Sequence, residues 1–126
     1  MKIFVLIFTL FISSHSIAQN AADAIKGKWI SLPNEGLLIN VYKVHDVYKG
    51  KIKWARDKEA AKVGFLIIDD LVYDEESQSW ENGKIYDPKG GAYSASAKIN
   101  DEGILVVRAY KGIKFLGTDK FFKRVK

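Results

Sequence analysis

The sequence predicts an all-β protein, an antiparallel barrel or sandwich of about eight short-linked strands with no long helix. Three observations carry this. Between residues 80 and 93, the turn formers Asp87, Pro88, Gly90 and Gly91 separate two segments of β-type alternation, with Trp80, Tyr86 and Tyr93 clustered about them. Residues 47–54 alternate cleanly: Tyr48, Gly50, Ile52 and Trp54 on one face, Lys49, Lys51 and Lys53 on the other. Polar turn sequences also recur at regular spacing along the rest of the chain.

The 126-residue chain opens with Lys2, an apolar run over residues 3–12, and Ser16-Ile17-Ala18. That three-part pattern predicts a secretory signal peptide over residues 1–18, cleaved after Ala18. The run is shorter than the roughly 20 residues needed to span a bilayer. A single domain over residues 19–126 is expected to remain, exported to the periplasm or beyond the cell and with no transmembrane segment. The chain contains no cysteine, so its core must hold without disulfides. The formal charge is +5, with the lysines scattered along alternating strand faces. That is a solvated surface, and together with export it argues against nucleic acid as a partner.

Residues 20–27 are either a short helical turn, capped by Asn20 and stopped by Gly27, or a frayed end. Residues 28–31 form a first strand carrying Trp29, and 37–44 a second. The alternating third strand follows a tight turn at His45-Asp46. Residues 55–63 are a loop or short surface helix. The apolar run 65–68 is too short to assign by period. Segments 71–73 and 79–86 flank an acidic turn, and Trp80 and Ile85 differ in parity. For both to point inward a bulge is needed, with Gly83 its natural place. In the strand at 93–99, Tyr93, Ala95, Ala97 and Ile99 share one face. Strands at 104–110 and 120–125 complete the set.

Ile25-x-Gly27-x-Trp29, Tyr48-x-Gly50-Lys51-Ile52-x-Trp54, Trp80-x-x-Gly83-x-Ile85-Tyr86-Asp87-Pro88 and Leu105-x-Val107-Arg108-x-Tyr110-x-Gly112 occur in that order, followed by Leu116-Gly117 and Arg124-Val125. In these elements the chain resembles the secreted bacterial proteins grouped as domain of unknown function family 2147. The resemblance implies a calycin-like, lipocalin-like up-and-down barrel and brings no catalytic residues. It also implies that Trp29, after Gly27, plugs one barrel end beneath Arg124. A guanidinium over an indole is worth on the order of 0.5–2 kcal/mol. The departures from the family pattern concern one barrel mouth: a short 55–63 loop, Ala109 in place of glycine, and Phe122 in place of tryptophan.

No nucleophile with its base, phosphate loop, metal-ligand spacing or cofactor motif is visible, so no enzyme and no cofactor is expected. Arg108 is the one odd charge, within an otherwise apolar strand. Outward, it shares a row with Val106 and Tyr110; inward, it would demand an anion, and arginines are seldom buried without a partner. The expected function is binding of a small apolar or amphipathic ligand in the barrel or at its mouth. Candidate contacts are Tyr48, Trp54, Tyr86, Tyr93, Arg108 and Tyr110. Gly27, Trp29, Trp80, Gly83, Asp87, Pro88 and Arg124 are assigned structural roles. The alternative is a filled barrel that works through its outer surface, an envelope interaction module presenting Lys49, Lys51, Lys53 and the tip at residues 87–91. Tyr48, Ile52 and Trp54 are expected to face inward together with Tyr93, Ala95 and Ala97, with Trp54→Ala costing roughly 3–5 kcal/mol as a core deletion.

Overall fold

The computed structural model describes residues 21–126. The predicted signal peptide and Asn20 lie outside the described residues. Eight antiparallel strands pair in sequence order and close on themselves: β1 (Gly27–Leu32), β2 (Leu37–Val44), β3 (Val47–Ala55), β4 (Leu66–Asp74), β5 (Ser79–Tyr86), β6 (Ala92–Ile99), β7 (Leu105–Tyr110) and β8 (Thr118–Arg124). Closure through β1 and β8 leaves no unpaired sheet edge. The up-and-down order sends connections 33–36, 56–65, 87–91 and 111–117 to one end of the barrel, and turns 45–46, 75–78 and 100–104 to the other.

The second end is closed. Asp23–Ile25 forms a 3-10 turn before β1 and lays Ile25 into the core. Side chains from the barrel bind the backbone of this segment, which has no ladder of its own. The Trp29 indole donates to the Ile25 carbonyl at 2.8 Å, and the Trp80 indole to the Ala22 carbonyl at 3.0 Å. Arg124 donates to the carbonyls of Lys26 and Ala24. Its guanidinium carbon stands 4.2 Å from the centroid of the Trp29 ring. Gly27, at φ 123°, leaves room for that stack: a Cβ there would meet the Arg124 guanidinium at 2.9 Å. The Tyr48 hydroxyl donates to Asp23 at 2.5 Å.

Alternation sets the core, and bulges reset it. On β3, Tyr48, Gly50 and Ile52 are buried as the lysine row requires, but Trp54 is 39% exposed and Ala55 is buried instead. This corrects the inward assignment of Trp54. Leu38 pairs with Trp54 while Ile39 pairs with Ile52, so Lys53 is an inserted residue and the face switches after it. Trp54→Ala is therefore a surface truncation. It is expected to change stability by less than about 1 kcal/mol, checked by thermal melting.

On β5 the register shift falls between Trp80 and Gly83, and Trp80 and Ile85 are both buried. Asn82 supplies the left-handed residue at φ 61°. Gly83 has a different task. A Cβ there would lie 2.5 Å from Leu71 Cδ2 and 2.9 Å from the Asp69 carbonyl, so only hydrogen fits against β4. On β4 the separate segments expected at 65–68 and 71–73 are one strand, with register shifts on either side of Gly50's partner Ile68.

Two carboxylates tie neighbouring wall strands together and a third, Asp23, ties the plug to β3. Asp23 is held below the usual carboxylate range chiefly by the Tyr48 hydroxyl, Asp69 by Lys49 and Asp119 by Arg108. Because the folded values lie below the unfolded ones, their stabilisation is fully present above the unfolded carboxylate pKa, about 3.9, and is lost as pH falls through the folded values. The melting temperature should thus fall by a few degrees in acid below that range, less steeply in Asp119→Asn. Solvent screening keeps each contribution small.

Candidate functional site

At the end opposite the plug, the barrel holds a cavity of about 380 Å³. Its walls come from inward positions of six strands. On β8, Thr118, Lys120 and Phe122 face the cavity, while the alternate Asp119 pairs with Arg108 outside. Ala109 of β7 and Tyr93 of β6 continue the wall. Ile85 of β5 and Leu37 of β2 complete its apolar lining together with Ile67 and Ile68. Both of these consecutive isoleucines reach inward because Ile67 sits at a register shift: Gly50 pairs with Ile68 and Lys51 with Leu66. The same irregularity defeats any assignment of this run by period.

The lip is the β5–β6 turn, where Tyr86, Asp87 and Pro88 border the opening. Asp87 accepts the Lys89 amide at 2.9 Å through its carboxylate and the Gly90 amide at 2.9 Å through its carbonyl. Its turn-forming role is therefore visible, and it also stands at the mouth. Lys120 is the cation facing this space. Among the described residues no carboxylate lies within ion-pair distance of it. The site thus combines an apolar wall with a lysine ammonium, the Thr118 hydroxyl and a carboxylate near its rim.

Two of the six residues expected to contact a ligand are here, Tyr86 and Tyr93. Tyr48 is buried towards the closed end, bound to Asp23. Trp54 is on the outer face beyond the bulge. Arg108 also lies outside, bonding Asp119 through Nε at 2.7 Å and through a terminal nitrogen at 2.9 Å. This fork satisfies the charge on the wall without a ligand. Tyr110 shares the Arg108 row and does not line the cavity. Sequence reasoning missed Lys120. The alternation Thr118, Lys120, Phe122 was readable, but β8 was placed from residue 120, so the mouth end of the strand was lost. Ala109 and Phe122, where the chain departs from the family pattern, both line the cavity.

No helix among the described residues is long and apolar enough to cross a membrane. Nor do these residues contain a group of three or more His, Cys, Asp or Glu placed to hold a metal ion.

The model of the family described as "Uncharacterized protein conserved in bacteria (DUF2147)" matches residues 27–124. No curated protein matches the chain. Among solved structures, the chain is similar to protein HP1028 from the human pathogen Helicobacter pylori, described as belonging to the lipocalin family. The TM-score is 0.67 at 16% identity, and the match covers 81% of this chain and 83% of that one. At that identity the likeness shows the fold, a lipocalin-like barrel, and the fold alone.

Proposed function

The chain belongs to the bacterial family DUF2147, and we propose that it is a binding module rather than an enzyme, taking a small apolar or amphipathic molecule into the open end of its barrel. The observation that carries this reading is the 380 Å³ cavity walled by Ile67, Ile68, Ile85, Tyr93 and Phe122. Its size is within the range of small-molecule sites, which pair a mostly apolar wall with a few polar groups that fix orientation. A fully packed barrel has no use for such a space, because voids forfeit contact energy. An apolar ligand body entering it would be desolvated against these side chains, with its polar end at Thr118 and Lys120. The reading includes export to the periplasm or beyond the cell, which the signal-peptide pattern of residues 1–18 supports.

Titration with an apolar fluorophore bearing a carboxylate, beside its uncharged counterpart, tests this. Saturable binding of both is expected. Lys120→Met should weaken the carboxylate probe by about tenfold, the scale of one charge-assisted hydrogen bond, and leave the uncharged probe unchanged. Absence of saturable binding by either probe rejects the reading.

A further inference from the structure

We propose that the open end of the barrel docks on an anionic lipid surface through the β7–β8 connection. Three large apolar side chains stand out of this seven-residue segment: Ile113, Phe115 and Leu116 are 60, 84 and 73% exposed. Val63, on the β3–β4 connection at the same end, is 67% exposed. No exposed large apolar side chain among the described residues lies in a closed-end turn. Scattered single apolar residues on a surface need no explanation, but three within four positions of one connection do.

Charge orients the molecule the same way. The closed-end turns carry Asp46, Glu75, Glu76, Asp101 and Glu102 and no lysine or arginine, and the described terminal segments at that end, 21–26 and 125–126, add Asp23, Lys26 and Lys126. The open-end connections carry Arg56, Lys58, Lys62, Lys89, Lys111 and Lys114 against four acids, Glu35, Asp57, Glu59 and Asp87. An anionic surface therefore favours the open end over the closed one.

The local chemistry selects lipid over a protein groove. In Lys111-Gly112-Ile113-Lys114-Phe115-Leu116, cations and apolar side chains interleave. The long Lys111 stem can keep its charge at headgroup level while the apolar tips enter the acyl boundary, and Lys114 is turned back onto the wall. Lys114 is held by an exposed ion pair with Glu81 at 2.7 Å, and Lys111 lies 4.8 Å from the centroid of the Tyr93 ring, so the connection has fixed points on the barrel. Four protruding side chains offer far less than the roughly 800 Å² per partner that a stable protein interface buries. A bilayer accepts such a set without a matching pocket. Docked this way, the cavity end faces the membrane. The inference stands on the exposed connection and the charge asymmetry, independently of any ligand in the cavity.

The lack of cysteine makes a site-specific test clean. In the full chain, Phe115→Cys and Glu76→Cys each accept one environment-sensitive fluorophore, at the open and closed ends respectively. On adding vesicles of mixed phosphatidylglycerol and phosphatidylcholine, the label at 115 should shift to the blue and the label at 76 should not. The shift should weaken in high salt and in pure phosphatidylcholine. Adding Leu116→Ser to the labelled Phe115→Cys chain should lower the apparent vesicle affinity by about tenfold, as expected for one lost apolar anchor. The readout is local, so binding through the apolar run at residues 3–12 alone would leave position 115 unchanged and overturn the proposal. An equal shift at both sites would overturn it too. So would a shift at 115 that grows with protein concentration without vesicles, since that would make the connection a contact between copies of this chain.

Discussion

Trp29→Ala is expected to lower the free energy of unfolding by about 3–5 kcal/mol, a large share of what a domain of this size possesses. The indole is fully buried, and its loss removes three supports together. The apolar area of a tryptophan leaves a cavity that the closed barrel cannot collapse to fill. The Ile25 carbonyl loses its indole donor, and the Arg124 guanidinium loses the ring beneath it. The 3-10 turn that plugs this end depends on these contacts, so Ile25 is expected to loosen with it. Trp29→Phe separates the contributions. It keeps an aromatic ring but no donor, so it should cost less, with the unsatisfied carbonyl worth roughly 1–3 kcal/mol. Urea unfolding followed by circular dichroism measures both. A loss below 1 kcal/mol for Trp29→Ala would mean that the plug does not stabilise the barrel.

Much of this architecture is legible in the sequence because two periodic signals agree with the turn residues. The lysine row at 49, 51 and 53 sets the sidedness of β3 up to Ile52, and the alanines at 95 and 97 set that of β6. Trp29 and Arg124 were matched through the family pattern, and the structure stacks them. The misassigned end of β3 has a specific physical origin. A one-residue insertion reverses every side chain beyond it, and nothing in the composition around Lys53 announces it. Trp54 was therefore assigned to the wrong face. Parity between Trp80 and Ile85 did reveal the β5 bulge, because two apolar residues of opposite parity required one. The candidate site was less legible than the fold. It is assembled from one or two residues on each of six strands, so its membership depends on register across the whole barrel rather than on any local motif. Choosing prominent aromatics picked out Tyr86 and Tyr93, which line the cavity, but also Tyr48, which is core, and Tyr110, which faces away. Lys120 was unremarked for the opposite reason: a lysine near a strand end looks ordinary until the barrel closes, whereas Ala109 was noticed only as a departure from the family pattern at one barrel mouth.

A small molecule is expected to bind in the space at the open end, and substitution of Ala109 tests this. Its methyl faces the cavity from β7, between Ala95 of β6 and Thr118 of β8, and leaves the volume that a larger residue would take. Ala109→Trp places an indole in that volume. Because the cavity is open at its mouth, the ring can be accommodated with less strain than the roughly 1–3 kcal/mol typical of overpacking a closed core. The measurement is a fluorescent-probe titration of the two proteins side by side, with thermal melting to confirm that the variant is folded. With the melting temperature maintained, probe affinity should fall by about a hundredfold or more, on the order of 3 kcal/mol. Undiminished affinity in a folded Ala109→Trp protein would contradict binding in this cavity and place it elsewhere on the molecule.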